Sequence, residues 1–289
     1  MNNDVQSNIN SIINNLSKTN YSFDANILSK EEIKHIKKQA KDARGLYGLN
    51  TPIGTNIFSF IEQKGDVVFQ LQNFKNSDLD AMIIKYSSKS IKKYIIINSE
   101  NPLINQVFAA AHELYHYSYN FIENSQDSIV CSFSKNEKEE IKANRFAAEF
   151  LLPEAALKDE LDSFLLYVDS SFSEISLTKQ IFFCFSLVIK YSLPLKAVLY
   201  RLKEEEISDT DFLLEHYENV KNILLEIAEE DRRVNELYSN KNIYIKEDLY
   251  DLVPLLYNKG RLDDSTVNEI IKKFDLSETK IKDGLITDE

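Results

Sequence analysis

Ala111-His112-Glu113-Leu114-Tyr115-His116-Tyr117 is the stretch around which this chain is organised, and its partner is Glu140-Ile141-Lys142-Ala143-Asn144, about two dozen residues later. In the first, His112-Glu113-x-x-His116 sets two imidazoles one helical turn apart, stacked on one helix face about 6 Å apart at Cβ. That spacing suits a single Zn²⁺. A structural zinc closes its sphere with four protein ligands, whereas two imidazoles and one remote carboxylate leave a position open for water, and an open position points to chemistry. The plainer alternative is a pair of helix histidines satisfied by neighbouring polar groups. With only four histidines in the chain (His35, His112, His116 and His216), chance is a poor account of two bracketing a glutamate at this interval.

The residues around the stretch describe the helix that carries it. Val107, Ala110, Leu114, Tyr117 and Phe121 recur at intervals of three and four, and at about 100° per residue His112 and His116 fall opposite that stripe. Phe108, Ala109, Ala111 and Tyr115 make most of the remaining surface apolar, which predicts a buried helix with a dry cleft on its histidine side, where electrostatic interactions are stronger. A second helix follows from Ile141, Ala143, Phe146, Ala147, Phe150 and Leu151, with Pro153 as its stop. Glu140 and Asn144 lie on one face of it. A carboxylate there completes three protein ligands, and an amide one turn on can orient a ligand from behind. On spacing alone Glu137, Glu139 and Glu149 are rivals for that carboxylate.

Composition bounds the partners. At 289 residues, 43% apolar and 28% charged, the chain is long enough for one large domain or a domain with an appendage, and it should bury a core. A net charge of -12 and a pI near 5 argue against a surface devoted to phosphate backbones, so no direct nucleic-acid contact is expected. The opening MNNDVQSNINSIINNLSK lacks a basic region followed by an apolar one, and the apolar run from Ile181 to Ile189 is too short to span a bilayer. These features predict a cytoplasmic protein with no membrane partner. Cys131 and Cys184 form no disulfide framework and have no Cys or His at ligand spacing, so each reads as a small buried apolar residue.

Along the chain, Val5, Ile9, Ile12, Ile13 and Leu16 suggest a short amphipathic helix, and Ser29 to Glu32 reads as a capping box opening another, with Ile33, Ile36, Ala40 and Ala43 inside it. Lys34, His35, Lys37, Lys38 and Lys41 on its other side read as a solvated face. After a short helix ending at Gly65 come three strand-like runs, Val67 to Leu71, Ala81 to Ile84 and Tyr94 to Asn98, which predict a small three-stranded sheet against the metal helix. A sheet edge beside the cleft can accept a peptide as an added strand. Residues 122 to 136 read as a polar loop. Beyond Pro153 the pattern is helical: an apolar pair over 181–203, one long helix from Phe212 to Val234, and shorter helices near 247–258 and 265–274. Glu204-Glu205-Glu206 opens a more acidic region, and His216 has no second ligand one turn away.

His112-Glu113-x-x-His116 followed by Glu140-x-x-Ala143-Asn144-x-Phe146-Ala147-Ala148-Glu149-x-Leu151-Leu152-Pro153 resembles the ImmA/IrrE family of zinc metallo-endopeptidases, whose second motif reads E-x-x-A-N-x-F-A-x-x-L-L-x-P. The resemblance covers residues 30 to about 204. It implies an α+β fold: a zincin-like, mostly helical peptidase domain over 29–204 with a small three-stranded sheet, flanked by an N-terminal helical segment (1–28) and an acidic helical C-terminal domain (205–289). It implies His112, His116 and Glu140 as ligands of Zn²⁺ and Glu113 as the catalytic base. It also implies a protein substrate, a helix-turn-helix repressor or an antitoxin-like regulator, with roles in transcription regulation and stress response. The alternatives are a metal-dependent toxin or anti-phage effector and a module that sequesters a regulator without cutting it. Two positions depart from the family: Tyr115 stands where Gly is usual and Asn120 where a further His is common. The phenol either narrows the cleft or lends the reaction a hydrogen bond. Tyr115, Tyr117, Tyr119 and Arg201 are the candidate donors to a developing oxyanion.

Overall fold

In the computed structural model, which describes residues 28–45, 51–72, 80–87, 91–120, 129–131, 137–172, 174–207, 210–239, 248–274 and 277–283, helix α1 (Lys30–Arg44) begins at the capping box read from the sequence. Glu32 N donates to Ser29 Oγ at 3.2 Å while Ser29 N donates to the Glu32 carboxylate at 2.9 Å. Two otherwise orphaned helix-start donors are thereby satisfied. The helix expected between Val5 and Leu16 lies outside the described residues. Ile36, Ala40 and Arg44 form the buried face of α1. The Arg44 guanidinium, 1% exposed, donates to Phe150 O and Thr51 O, tying the end of α1 to the helix that carries Glu140.

Gly54 turns the chain into α2 (Asn56–Glu62) with φ +50°, and a Cβ there would meet Ser192 Oγ at 3.3 Å, so a side chain would be both strained and crowded. Ile57, Phe58, Phe60 and Ile61 of α2 are buried, and Phe58 stacks on Phe69 with ring centroids 5.2 Å apart. The three expected strands are present as β1 (Val67–Gln72), β2 (Ala81–Ser87) and β3 (Ile91–Asn98). β1 runs parallel and β2 antiparallel to β3, with Phe69 and Ile83 both level with Ile95. Phe69, Ile83, Ile95 and Ile97, each 1% exposed or less, therefore share one face, and a one-residue slip would turn them all outward. A fourth short strand, β4 (Ile129–Cys131), pairs antiparallel with β2 inside the segment expected to be loop, giving the order β1-β3-β2-β4. Three β-forming residues among polar neighbours are too few to mark a strand by pattern alone.

Asn98 closes the sheet, donating through its backbone to Asp80 O at 2.8 Å and accepting on Oδ1 from Glu100 N, and Pro102 then starts α3 (Leu103–Tyr115). Ile104, Val107, Ala109, Ala110, Ala111, Leu114 and Tyr115 are buried, the packed helix that its composition predicts. At His116 the geometry changes to a π-helical turn (His116–Asn120), where one long α-helix through Phe121 was expected. Single π turns occur mostly inside α-helices and are frequent at functional sites. α4 (Glu137–Leu151) packs against both α1 and α3, and α5 (Glu154–Val168), α6 (Leu177–Tyr191) and α7 (Leu195–Glu204) follow.

The helix expected from Phe212 to Val234 is instead three: α8 (Thr210–Glu215), α9 (Tyr217–Glu230) and α10 (Arg232–Tyr238). His216 breaks the first junction at φ -105° with its Nδ1 on Phe212 O, and Asp231 breaks the second by accepting from Arg233 N. The chain divides into two compact units, Met1–Asn240 and Lys241–Glu289, whereas the sequence pattern sets its boundary at 204–205. The reason is that α10 packs on α3 and α6, so the helices after Glu204 share the core of the first unit. The second unit holds α11 (Asp248–Asn258), α12 (Asp264–Phe274) and α13 (Glu278–Asp283) around Val253, Val267 and Ile281. Among the described residues no single helix is long and apolar enough to cross a membrane.

Candidate metal centre

Two buried helices present polar residues to each other here. α3 brings His112 and Glu113, the π turn begins with His116, and the first turn of α4 brings Glu140. The His112 and His116 Nε2 atoms lie 3.1 Å apart. Glu140 reaches His112 Nε2 with Oε2 at 3.1 Å and His116 Nε2 with Oε1 at 3.5 Å. A tetrahedral zinc with bonds of about 2.0–2.1 Å separates its ligand atoms by about 3.3–3.4 Å. The three groups thus stand at the spacing such an ion requires, and they form a cluster able to hold a metal ion.

Hydrogen bonding gives a second test of fit. Asn144 Oδ1 lies 2.9 Å from His112 Nδ1, and an amide oxygen only accepts, so Nδ1 carries the proton. In the neutral ring Nε2 is then a lone pair, facing a second imidazole and a carboxylate. Lone pairs converge only on a proton or a cation. The electrostatics agree: burial opposes protonation of His112, yet the Glu140 contact, the Glu113 charge and the Asn144 bond outweigh it and raise the His112 pKa. Burial and the nearby His112 push His116 down to about 4. The hydrogen bond with His112, more than the opposing effect of burial, holds Glu140 below the usual carboxylate range.

Glu113 is 5% exposed, and its Oε2 has no hydrogen-bond partner among the described residues. Burial pushes its carboxyl up to about 7, with His112 pulling it down and the Glu140 charge adding to the rise. A carboxyl buried in this way, with Oε2 unpartnered among the described residues and the His112 and Glu140 charges close by, can exchange a proton near neutrality.

The rivals for the carboxylate ligand are engaged elsewhere. Glu139 accepts from Lys142 Nζ at 2.8 Å and from the Tyr115 hydroxyl at 3.3 Å. Glu149 accepts from Arg145 and from Glu154 N and pairs with Arg201 at 2.9 Å. The Glu137 side chain lies outside the described residues. The four candidate oxyanion donors also point away from the cluster. Tyr115 donates to Glu139, Tyr117 to Asp66 at 2.5 Å, Tyr119 to Gln39 O at 3.0 Å, and Arg201 is 0% exposed among Glu149, Glu204 and Leu152 O. Tyr115 therefore neither narrows the ligand cleft nor faces it. Its ring meets the edge of His116 at 5.6 Å, and it lines a cavity of about 490 Å³ shared with His35, Gln39, Tyr119 and Glu139 but with none of His112, His116 and Glu140.

The family model described as Peptidase_M78, IrrE N-terminal-like domain, matches residues 63–203. This chain carries an IrrE N-terminal-like domain. The IrrE-like domain runs from the end of α2 through α7, so the sheet, the two helices that carry His112 and Glu140 and the π turn all fall inside it, while α1 precedes it. Its family is one of peptidases, and within the matched residues His112, His116 and Glu140 form a group that could hold a metal ion. No curated protein sequence matches the chain. Among solved structures, a Mycobacterium tuberculosis transcriptional regulator aligns over 65% of this chain at 10% identity with a TM-score of 0.41; the chain covers 51% of that protein, about half its length.

Sequence reasoning missed the π turn and the Tyr115–Glu139–Lys142 contacts. The only signal for the latter was the unusual tyrosine inside the histidine motif.

Proposed function

We propose that this chain is a zinc-dependent endopeptidase of the ImmA/IrrE type that cuts one regulatory protein, a helix-turn-helix repressor or a regulator of antitoxin type. The observation that carries the reading is the convergence of two Nε2 atoms and a carboxylate within 4.8 Å beside the orphaned, near-neutral carboxyl of Glu113. In this reading His112, His116 and Glu140 hold Zn²⁺, and Asn144 fixes the His112 tautomer that leaves Nε2 free to bind. Bound there, the ion supplies a more acidic water and an electrophile for the scissile carbonyl. Glu113 removes a proton from the attacking water and returns it to the leaving amine, work for which a carboxyl near pH 7 is suited. The burial of Glu113 and His116 strengthens their interactions with the groups around them.

Mass spectrometry of the protein that co-purifies with Glu113→Gln, then incubated with zinc-loaded wild type, tests this. One discrete cut by wild type and an intact partner with Glu113→Gln is the expected result. A partner left intact by both would overturn the hydrolase in favour of sequestration.

A further inference from the structure

Glu139 and Glu140 are consecutive carboxylates on the first turn of α4, yet only Glu140 belongs to the ligand cluster. Helix neighbours project about 100° apart. That alone does not keep Glu139 away, because a glutamate has three rotatable bonds and the Glu139 charge already acts on the His116 ring. Left loose, such an anion would turn toward a dication and occupy the position that the reaction needs open. Two groups restrain it. Lys142 Nζ binds Oε1 at 2.8 Å and the Tyr115 hydroxyl donates to Oε2, so both oxygens are engaged beside a cavity that Glu139, Lys142 and Tyr115 line together with α1 residues and that none of His112, His116 and Glu140 lines. Lys142 is in turn anchored on the α1 capping box through Glu32 at 3.6 Å. The Tyr115 ring, 5% exposed, is wedged between the edge of His116 and Phe146, with centroids 5.6 and 5.5 Å away, so its hydroxyl has a fixed origin.

We propose that Tyr115 is a positioning residue for the metal centre: by donating to Glu139 it keeps a second carboxylate off the ion and preserves a three-ligand site with one open position. The proposal rests on the reading of His112, His116 and Glu140 as the ligand set.

The test uses the full chain loaded with Co²⁺ or Zn²⁺, comparing wild type, Tyr115→Phe, Glu139→Gln and the double variant. Tetrahedral Co²⁺ absorbs visible light more strongly than five- or six-coordinate Co²⁺, so Tyr115→Phe, which keeps the ring, is expected to lose at least about two-fold in intensity as an oxygen ligand is added. Its zinc affinity is expected to equal or exceed that of wild type. Glu139→Gln alone keeps the wild-type spectrum, and in the double variant that spectrum returns. Should Tyr115→Phe fail to fold, Lys142→Met frees the other Glu139 oxygen and is expected to dim the spectrum in the same way. A Tyr115→Phe spectrum identical to wild type overturns the proposal, as does dimming that Glu139→Gln does not reverse, or about ten-fold weaker zinc binding in both Tyr115→Phe and the double variant, which marks mere support of His116. Wild type that takes up neither ion instead refutes the ligand set itself.

Discussion

Asn144→Ala isolates the single hydrogen bond that decides which nitrogen His112 offers to a metal. The amide accepts from Nδ1 at 2.9 Å, and the His112 side chain is 16% exposed, so water replaces the bond poorly once it is lost. A hydrogen bond between neutral groups contributes about 0.5–1.5 kcal/mol net, and about 1.4 kcal/mol is ten-fold in affinity. Losing such outer partners costs about 10–100-fold in metal binding, and a neutral amide belongs at the lower end, so about a ten-fold rise in the zinc dissociation constant is expected. Alanine favours the helix, so α4 itself should not suffer. Competition against a chromogenic chelator at pH 7 measures the change, and Asn144→Asp, with a stronger acceptor, should restore the affinity. Zinc binding by Asn144→Ala within two-fold of wild type, or a loss as complete as that of His112→Ala, would refute the tautomer argument.

Four further outcomes follow from the same structure. Removing zinc with a chelator should lower the melting temperature by mass action, and His116→Ala should abolish the difference; a shift that survives in His116→Ala would place the ion elsewhere. Glu149 is 5% exposed between the Arg145 and Arg201 guanidinium groups, so Glu149→Gln should cost about 3–5 kcal/mol in denaturant unfolding by stranding buried charge; a loss under about 1 kcal/mol would show that the pairs reorganise freely. Bonds to Lys158 and Lys37 depress the Glu154 carboxyl from 4.5 to about 2, so its contribution is complete above pH 4.5 and is lost as pH falls through about 2. The melting temperatures of wild type and Glu154→Gln should therefore differ at pH 7 and converge across that window; a constant gap would exclude the linkage. In metal-free protein Glu113→Gln should raise stability by about 1–3 kcal/mol, because a buried carboxyl without a partner is replaced by a neutral amide; a destabilised Glu113→Gln would mean that the carboxylate is satisfied in solution.

Most of the fold was legible because its signals were local. The capping box at Ser29 and Glu32, the β-branched runs of the three long strands and the apolar stripe of α3 each declare themselves within a dozen residues, and each forms where expected except that the α-helical part of the stripe ends at Tyr115. What escaped depends on distant partners. Ile129–Cys131 is a strand because β2 offers it an edge, not because three residues prefer it. The breaks at His216 and Asp231 come from side chains capturing backbone groups inside an otherwise continuous apolar pattern. The approach of His112 and His116 to each other was readable from spacing. The choice among glutamates was not, since it turns on which carboxylates Lys142, Tyr115, Arg145 and Arg201 have already claimed.

The same pairing explains why the site can exist inside a packed core at all. Around His112 and His116 the chain buries Glu113 and partly buries Glu140, an arrangement whose desolvation is not offset by any described partner for Glu113. Nearby, Arg145, Glu149 and Arg201 are as deeply buried, but there Glu149 pairs with both guanidinium groups and the cluster fastens α4 to α7, even though burial and the neighbouring Arg201 charge lower the Arg145 pKa. The contrast separates two kinds of buried polar network in one domain: one in which opposite charges are paired between helices, and one in which two imidazole nitrogens and a carboxylate are aimed at a common point. A network of the second kind persists only if the surrounding packing imposes it. Phe146, Phe150, Leu114 and the Tyr115 ring, each 5% exposed or less, supply that packing, and the step from α to π geometry at His116 falls where the chain passes from the packed helix into the site. If the proposed function holds, the folding cost at His112, His116 and Glu140 and the binding of a dication there are one property of the α3–α4 contact, so changes that relieve the first should weaken the second.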